Sequence, residues 1–214
     1  MFLDIGLSYL EVFFLVRILI CNQKGGTGKT RTCMLLASAL RAVGKSVVLE
    51  DHDPQQSLAT WSQSLPEPFL FEGNAEEGGF LVIDTPPRLD LTDHTGRNLL
   101  TRLVQGADRI LLVAELGGLE LAAAKPMADF IQHTLAEIPA DQRGRAFVLW
   151  NKIQARTKEG KQDLAPLAEY LGLPALRTTL PFLHPYHTIQ YTGWAGITGE
   201  ARARVLDLAL EIVA

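Results

Sequence analysis

The chain has 214 residues, 47% of them hydrophobic, with 24 acids against 20 Lys and Arg and a net charge of −4. That length holds one sizeable domain with its own core and is short for two. The acidic balance excludes a generally basic nucleic-acid-coating protein. Two cysteines outside any CxxC spacing exclude a disulfide framework or a cysteine-rich zinc site, and make the cytoplasm the default compartment.

Residues 1–15, MFLDIGLSYLEVFFL, are apolar, carry Asp4 and Glu11, and have no Lys or Arg before Arg17. A secretory leader needs a basic start and a small-residue cleavage site, and the charges up to Ile20 make a poor membrane span. The expectation is an extension added by start-site choice to a domain that begins at Val16. An extra amphipathic helix is the alternative.

LVRILICN, residues 15–22, is an unbroken apolar run ending at a glycine loop and reads as a buried parallel strand. In the loop NQKGGTGKT, Gly25, Gly26 and Gly28 let the backbone turn around Thr27 and aim N–H groups at phosphate oxygens. Lys29 neutralises the β and γ phosphates, and Thr30 offers a hydroxyl to Mg²⁺. The helix opening here, over 29–43, adds the positive end of its dipole. Lys24 is a second lysine at the mouth of the same loop. Leu36, Leu40 and Val43 predict the buried face of the helix, and Gly44 its stop. Cys21 and Cys33, either side of the loop, read as small core residues.

SVVLED (46–51) predicts a second strand, 55–65 a short helix closed by Pro66, and GFLVIDTPP (79–87) a third strand halted by two prolines. Asp84 ends an apolar strand at the ligand edge of the sheet, where it would hold a Mg²⁺-bound water. Asp51 and Asp53 follow the second strand. A carboxylate there orients the attacking water in phosphoryl transfer, and Asp51 is a further candidate metal ligand. Asp-x-Asp-Pro is equally good turn chemistry.

Further on, the pattern predicts a helix over 92–105, a strand over 109–115 and a helix over 119–138 interrupted at Pro126. A strand over 146–153, a helix over 158–171, a short strand over 176–180 and a helix over 199–213 complete the chain. PFLHPYHTIQYTGWAG reads as a loop, with His184 and His187 as polar surface residues. Strands alternating with helices this regularly imply a single α/β domain, a mostly parallel sheet covered by helices on both faces. Charge is uneven along it. Residues 50–93 hold ten acids against Arg88, and residues 141–161 hold six Lys or Arg against two acids, so the basic side can meet an anionic partner.

NQKGGTGKT, EDHDPQQS and LVIDTPP, in this order and spacing, resemble the ParA/MinD family of deviant Walker A ATPases, P-loop NTPases. DPQQSLATW, NKIQARTK and the compact length look most like its small ParA-type partition members. The resemblance runs from Val16 to Ala214, strong through Pro87 and diffuse beyond. It implies ATP and Mg²⁺ as cofactors, and a homodimer sandwiching ATP in which Lys24 reaches the phosphates held by the partner subunit. It further implies Asp53 as the residue needed for hydrolysis, Asn151 and Pro181 around the adenine, and non-specific DNA binding in the ATP form. DNA would be released when a ParB-like activator triggers hydrolysis, and the ATP form would be nucleoid-associated. Arg202 and Arg204 fall where the family places DNA-contacting arginines, and Arg156 and Lys158 lie in the basic stretch.

Three departures stand out. Arg31 replaces the usual hydroxyl residue after Thr30, AELGGLEL lacks the prolines common after the fourth strand, and residues 181–196 lack the arginine that often follows the proline. A membrane-positioning relative of MinD needs a basic, bulky amphipathic C-terminus that ARARVLDLALEIVA lacks. A metabolic ligase on the same scaffold would use ATP with a small substrate. A cluster-bearing reductase needs surface cysteines that Cys21 and Cys33 do not supply.

Overall fold

The computed structural model describes residues 15–71, 78–86 and 91–214. The expectations for residues 1–14, for the end of the third strand at Pro87 and for part of the acidic stretch (Glu72, Glu76, Glu77, Arg88, Asp90) lie outside them. Six strands form one sheet: β1 (Val16–Cys21), β2 (Val47–Asp51), β3 (Leu70–Phe71), β4 (Phe80–Asp84), β5 (Arg109–Ala114) and β6 (Arg145–Trp150). Their order is β3-β2-β4-β1-β5-β6, and every pairing is parallel. The sheet is thus wholly parallel among the described residues.

Parallel neighbours need crossovers, and the crossovers cover both faces. Side chains alternate across each strand, so Ile18 and Ile20 join one core while Leu19 and Cys21 join the other. The first face carries α1 (Lys29–Ala42), α2 (Ser57–Gln63), α7 (His184–Thr192) and α8 (Gly199–Val213). The second carries α3 (His94–Gly106), α4 (Gly118–Ala136) and α6 (Ala165–Leu171). A short α5 (Lys158–Lys161) contributes nothing buried.

Helix α1 is sandwiched between the sheet and α7 and α8, so it is buried almost all round from Thr32 to Leu40 rather than on one face. Val43, expected on that face, lies past the helix and is 43% exposed. Residues Val205, Leu208 and Ile212 of α8 enter the same core, each burial contributing roughly 1.5–3 kcal/mol. Among the described residues no helix is long and apolar enough to cross a membrane.

Four expectations need correction. Pro126 does not interrupt α4, because it and Ala122, whose carbonyl loses its donor, both face solvent. The helix expected over 158–171 is two: Gln162 is extended and ends α5, and Pro166 sits in the first turn of α6, where its missing N–H costs nothing. The strand expected over 176–180 does not form; isolated bridges flank it, Ala175 with Val148 and Pro181 with Ile153. Two of its N–H groups, at Arg177 and Thr178, instead donate to the Glu211 carboxylate at 2.7 and 2.9 Å. His184 and His187 lie in α7, not in a loop. Pro185 occupies its first turn, and Tyr186 and Ile189, three apart, are its buried contacts.

Candidate nucleotide site

The C-terminal ends of β1, β2 and β4 lie side by side, with Asp51 in register with Asp84 on the neighbouring strand. Ligands of open α/β sheets bind at this edge. From Cys21 the chain enters the loop, which is anchored from both sides. Asn22 donates through its amide to Val113 O at 2.7 Å, and its Oδ1 accepts from Lys24 N at 3.0 Å. Asn151, just past β6, donates to Thr27 O at 2.8 Å and accepts from Lys152 N at 2.9 Å. Gly26 and Gly28 have φ of 79° and 93°, and Gly28 is the residue before α1. A Cβ on Gly28 would also lie 2.5 Å from the Asn151 amide nitrogen. Only glycine fits there.

Lys29 is 5% exposed and curls back over its own loop, with Nζ 3.4 Å from Lys24 O. Burial lowers its pKa, opposed first by the nearby Asp84. Lys24 is placed differently. Its side chain is 39% exposed at the rim, where Nζ pairs at 3.1 Å with Glu120 in the first turn of α4. The two lysines of one loop therefore have separate positions, one inside the cradle and one facing out of it.

Asp84 is fully buried, and neither carboxylate oxygen has a hydrogen bond of normal geometry. Burial pushes its pKa up to about 7. The Thr30 hydroxyl and the Lys29 charge pull it down, and Asp51 and Asp53 push it further up. A buried carboxylate with no well-formed hydrogen bond, beside a threonine hydroxyl, suits a hard divalent cation or its water shell. Thr30 and Asp84 are the residues that would hold Mg²⁺. Among the described residues no group of three His, Cys, Asp or Glu forms a cage, so the other ligands would be phosphate oxygens and water.

Asp51 has other work. Its oxygens accept from Asp53 N at 2.9 Å, Leu58 N at 3.0 Å and Ala59 N at 3.1 Å, which caps α2 and fixes the turn. The turn reading made from the sequence describes this residue. Asp53 is 8% exposed, accepts from Gln55 N at 2.9 Å, and lines the cavity over the loop together with Lys29, Thr30 and Ser57.

The residues expected around a base do not yet make a room for one. Asn151 and Pro181 line a cleft of about 10 Å³, space for about one water, because Tyr186 and His187 of α7 pack into it. Lys152 was not singled out from the sequence. It adopts a left-handed φ of 56° and donates to Gly26 O at 2.6 Å and to Glu115 at 2.8 Å, tying β6, the loop and the end of β5 together. The signal available was its place directly after Asn151 at a strand end.

The four expected DNA contacts separate. Arg156 and Lys158 are exposed. Arg202 is half-buried and donates to Ile197 O at 2.6 Å and Trp194 O at 3.1 Å, with its guanidinium over the Trp194 ring. Arg204 pairs with Glu200 at 3.0 Å.

A glycine loop between a central parallel strand and a helix, with a lysine folded into it and a carboxylate at the next strand end, defines a P-loop nucleotide-binding protein. The chain belongs to the CobQ/CobB/MinD/ParA nucleotide binding domain family, matching over residues 18–189. It is 36% identical over 118 residues to maintenance of carboxysome distribution protein A of Gloeobacter kilaueensis, which covers 49% of this chain and 51% of that protein. A shorter stretch of 39 residues is 56% identical to the chromosome-partitioning ATPase Soj of Thermus thermophilus, 18% of this chain and 16% of the relative. The chain spans about half the length of the curated relatives it matches. Apo McdA of Cyanothece superposes with a TM-score of 0.71 over 94% of this chain and 100% of that one, at 14% identity, which shows a shared fold.

Proposed function

We propose that this chain is a Mg-ATP-dependent ATPase that dimerises on ATP, binds DNA without sequence preference and positions a plasmid, a chromosome or another cargo. A ParB-like partner would stimulate hydrolysis and release. The observation that carries this reading is the pair of lysines on one loop. Lys29 is buried where it serves the nucleotide bound by its own chain. Lys24 stands at the rim, where only a phosphate arriving from outside, held by a second copy, can recruit it.

In this reading the loop N–H groups and Lys29 hold the polyphosphate, and Thr30 and Asp84 would hold Mg²⁺, which when bound would supply charge stabilisation to the phosphates. Asp53 positions the attacking water, since phosphoryl transfer needs alignment and charge stabilisation more than covalent help. DNA binding would fall to exposed cations such as Arg156 and Lys158, with Arg204, whose pair with Glu200 is a surface one, because Arg202 is engaged within the protein. Helix α8 buries Val205, Leu208 and Ile212 in the core, which argues against that helix lying on a membrane. Cys21 and Cys33 are fully buried, which argues against a cluster-bearing reductase.

The test is binding to an arbitrary DNA duplex with Mg-ATP and with Mg-ADP across a salt series. Tight binding with ATP alone, weakening steeply with salt, is expected. Binding in neither state, with ATP turnover dependent on a small molecule, would replace this reading with a metabolic ligase.

A further inference from the structure

Arg31 is the third residue of α1, and it borders two spaces at once. One is the cavity over the loop, shared with Lys29, Asp53 and Gln190. The other is the narrow cleft of Asn151, Pro181 and His187. A nucleotide laid with its polyphosphate on the loop and its base toward that cleft carries its α-phosphate past this junction. Lys29 reaches toward the β and γ positions in such loops, so the α-phosphate is the anion left beside Arg31.

The side chain is half-buried and makes no hydrogen bond or ion pair with any described residue. Two other half-buried guanidinium groups are satisfied: Arg109 donates to Ile212 O and Arg202 to the carbonyls of Ile197 and Trp194. On the cleft side the charged neighbour of Arg31 is another cation, Lys152, while Asp53 lines the cavity over the loop. Burial lowers the His187 pKa, and Arg31, Lys152 and His184 lower it further. A guanidinium kept partly out of water beside another cation is unfavourable until an anion joins it, and its planar fork matches phosphate oxygens.

We infer that Arg31 is a nucleotide-binding residue that takes the α-phosphate of the bound nucleotide. This rests on the nucleotide-site reading above. Because ADP and ATP share that phosphate, the contact holds both alike and keeps ADP in place after the γ-phosphate has gone. Lys24, by contrast, serves the partner's nucleotide.

The test is calorimetric titration of the full chain with ADP and with ATP, in Mg²⁺, for wild type, Arg31→Ala and Arg31→Lys. Replacing Arg31 with Ala is expected to weaken both nucleotides by a common factor of about tenfold or more. Arg31→Lys, which keeps a charge and loses the fork, is expected to fall between the two. Nucleotide-free Arg31→Ala should melt no lower than wild type, because the guanidinium has no partner in the fold. Unchanged ADP affinity in Arg31→Ala, or a loss confined to ATP, would overturn the inference. Failure of the wild type to bind ADP would overturn the nucleotide reading along with it.

Discussion

Replacing Asp84 with Asn should stabilise the nucleotide-free protein above neutral pH while removing its response to Mg²⁺. The carboxyl is fully buried, and its pKa stands at about 7 rather than 3.8. Burial is the first cause, Asp51 and Asp53 add to it, and Thr30 and Lys29 oppose it. Below about pH 4 the carboxyl is protonated folded and unfolded, and it contributes no pH dependence. Between pH 4 and 7 the unfolded chain gives up the proton while the folded chain keeps it, so stability falls as pH rises. Above pH 7 the full penalty stands, about 4 kcal/mol from 1.36 kcal/mol per pH interval. An asparagine avoids that charge but leaves a buried amide short of partners, which costs roughly 1–3 kcal/mol. The net gain at pH 8 is therefore about 1–3 kcal/mol, or roughly 2–12 °C in Tm for a chain of this size. Thermal melts of both proteins from pH 4 to 8, with and without Mg-ADP, check this. The two curves should cross between pH 4 and 7, with Asp84→Asn the less stable at pH 4 and the more stable at pH 8, and Mg-ADP should raise the wild type more than Asp84→Asn. An Asp84→Asn chain less stable than wild type at pH 8, or a difference independent of pH, would refute the reasoning.

Gly28→Ala meets both a left-handed φ of 93° and the Asn151 amide at 2.5 Å, so it should abolish ADP binding in a titration and lower Tm. Glu120→Gln releases Lys24 from its exposed ion pair and should lower the ATP concentration needed for dimerisation by about two- to fivefold, read by light scattering. Arg202→Ala strips the donors from two loop carbonyls and should cost about 1–3 kcal/mol in a urea melt, leaving the salt dependence of DNA binding unchanged. Arg156→Ala with Lys158→Ala should leave stability alone and flatten the slope of log affinity against log salt by about two.

The first half of the chain was the legible half. A phosphate loop fixes its own neighbours: an apolar strand before, a helix after, and glycines whose left-handed backbone shows directly in their identity. Asp84 could be placed at the ligand edge because the four residues before it are an unbroken apolar strand. Its lack of a well-formed hydrogen bond could not be read, since that depends on how Thr30 and Lys29 settle in three dimensions. Asp51 was ambiguous for a physical reason, as one carboxylate after a strand can hold a cation or cap the next helix. Here three N–H groups decide for the cap. Helix α7 was hidden by two prolines and two histidines, although Pro185 in a first turn and the Tyr186–Ile189 spacing are helix signals. The break at Pro166 was likewise available and overruled by the length of the surrounding pattern. The occupation of Arg202 by the carbonyls of Trp194 and Ile197 depends on a loop closure that no local periodicity encodes.

The measurement closest to the central claim is the molar mass of the purified chain in solution with Mg-ATP and with Mg-ADP, in an Asp53→Ala background that holds ATP. The account predicts about twice the 23.5 kDa chain mass with ATP, a single chain with ADP, and a single chain with either nucleotide once Lys24 is changed to Ala. A mass indifferent to the nucleotide, or an ATP dimer that survives Lys24→Ala, would contradict it.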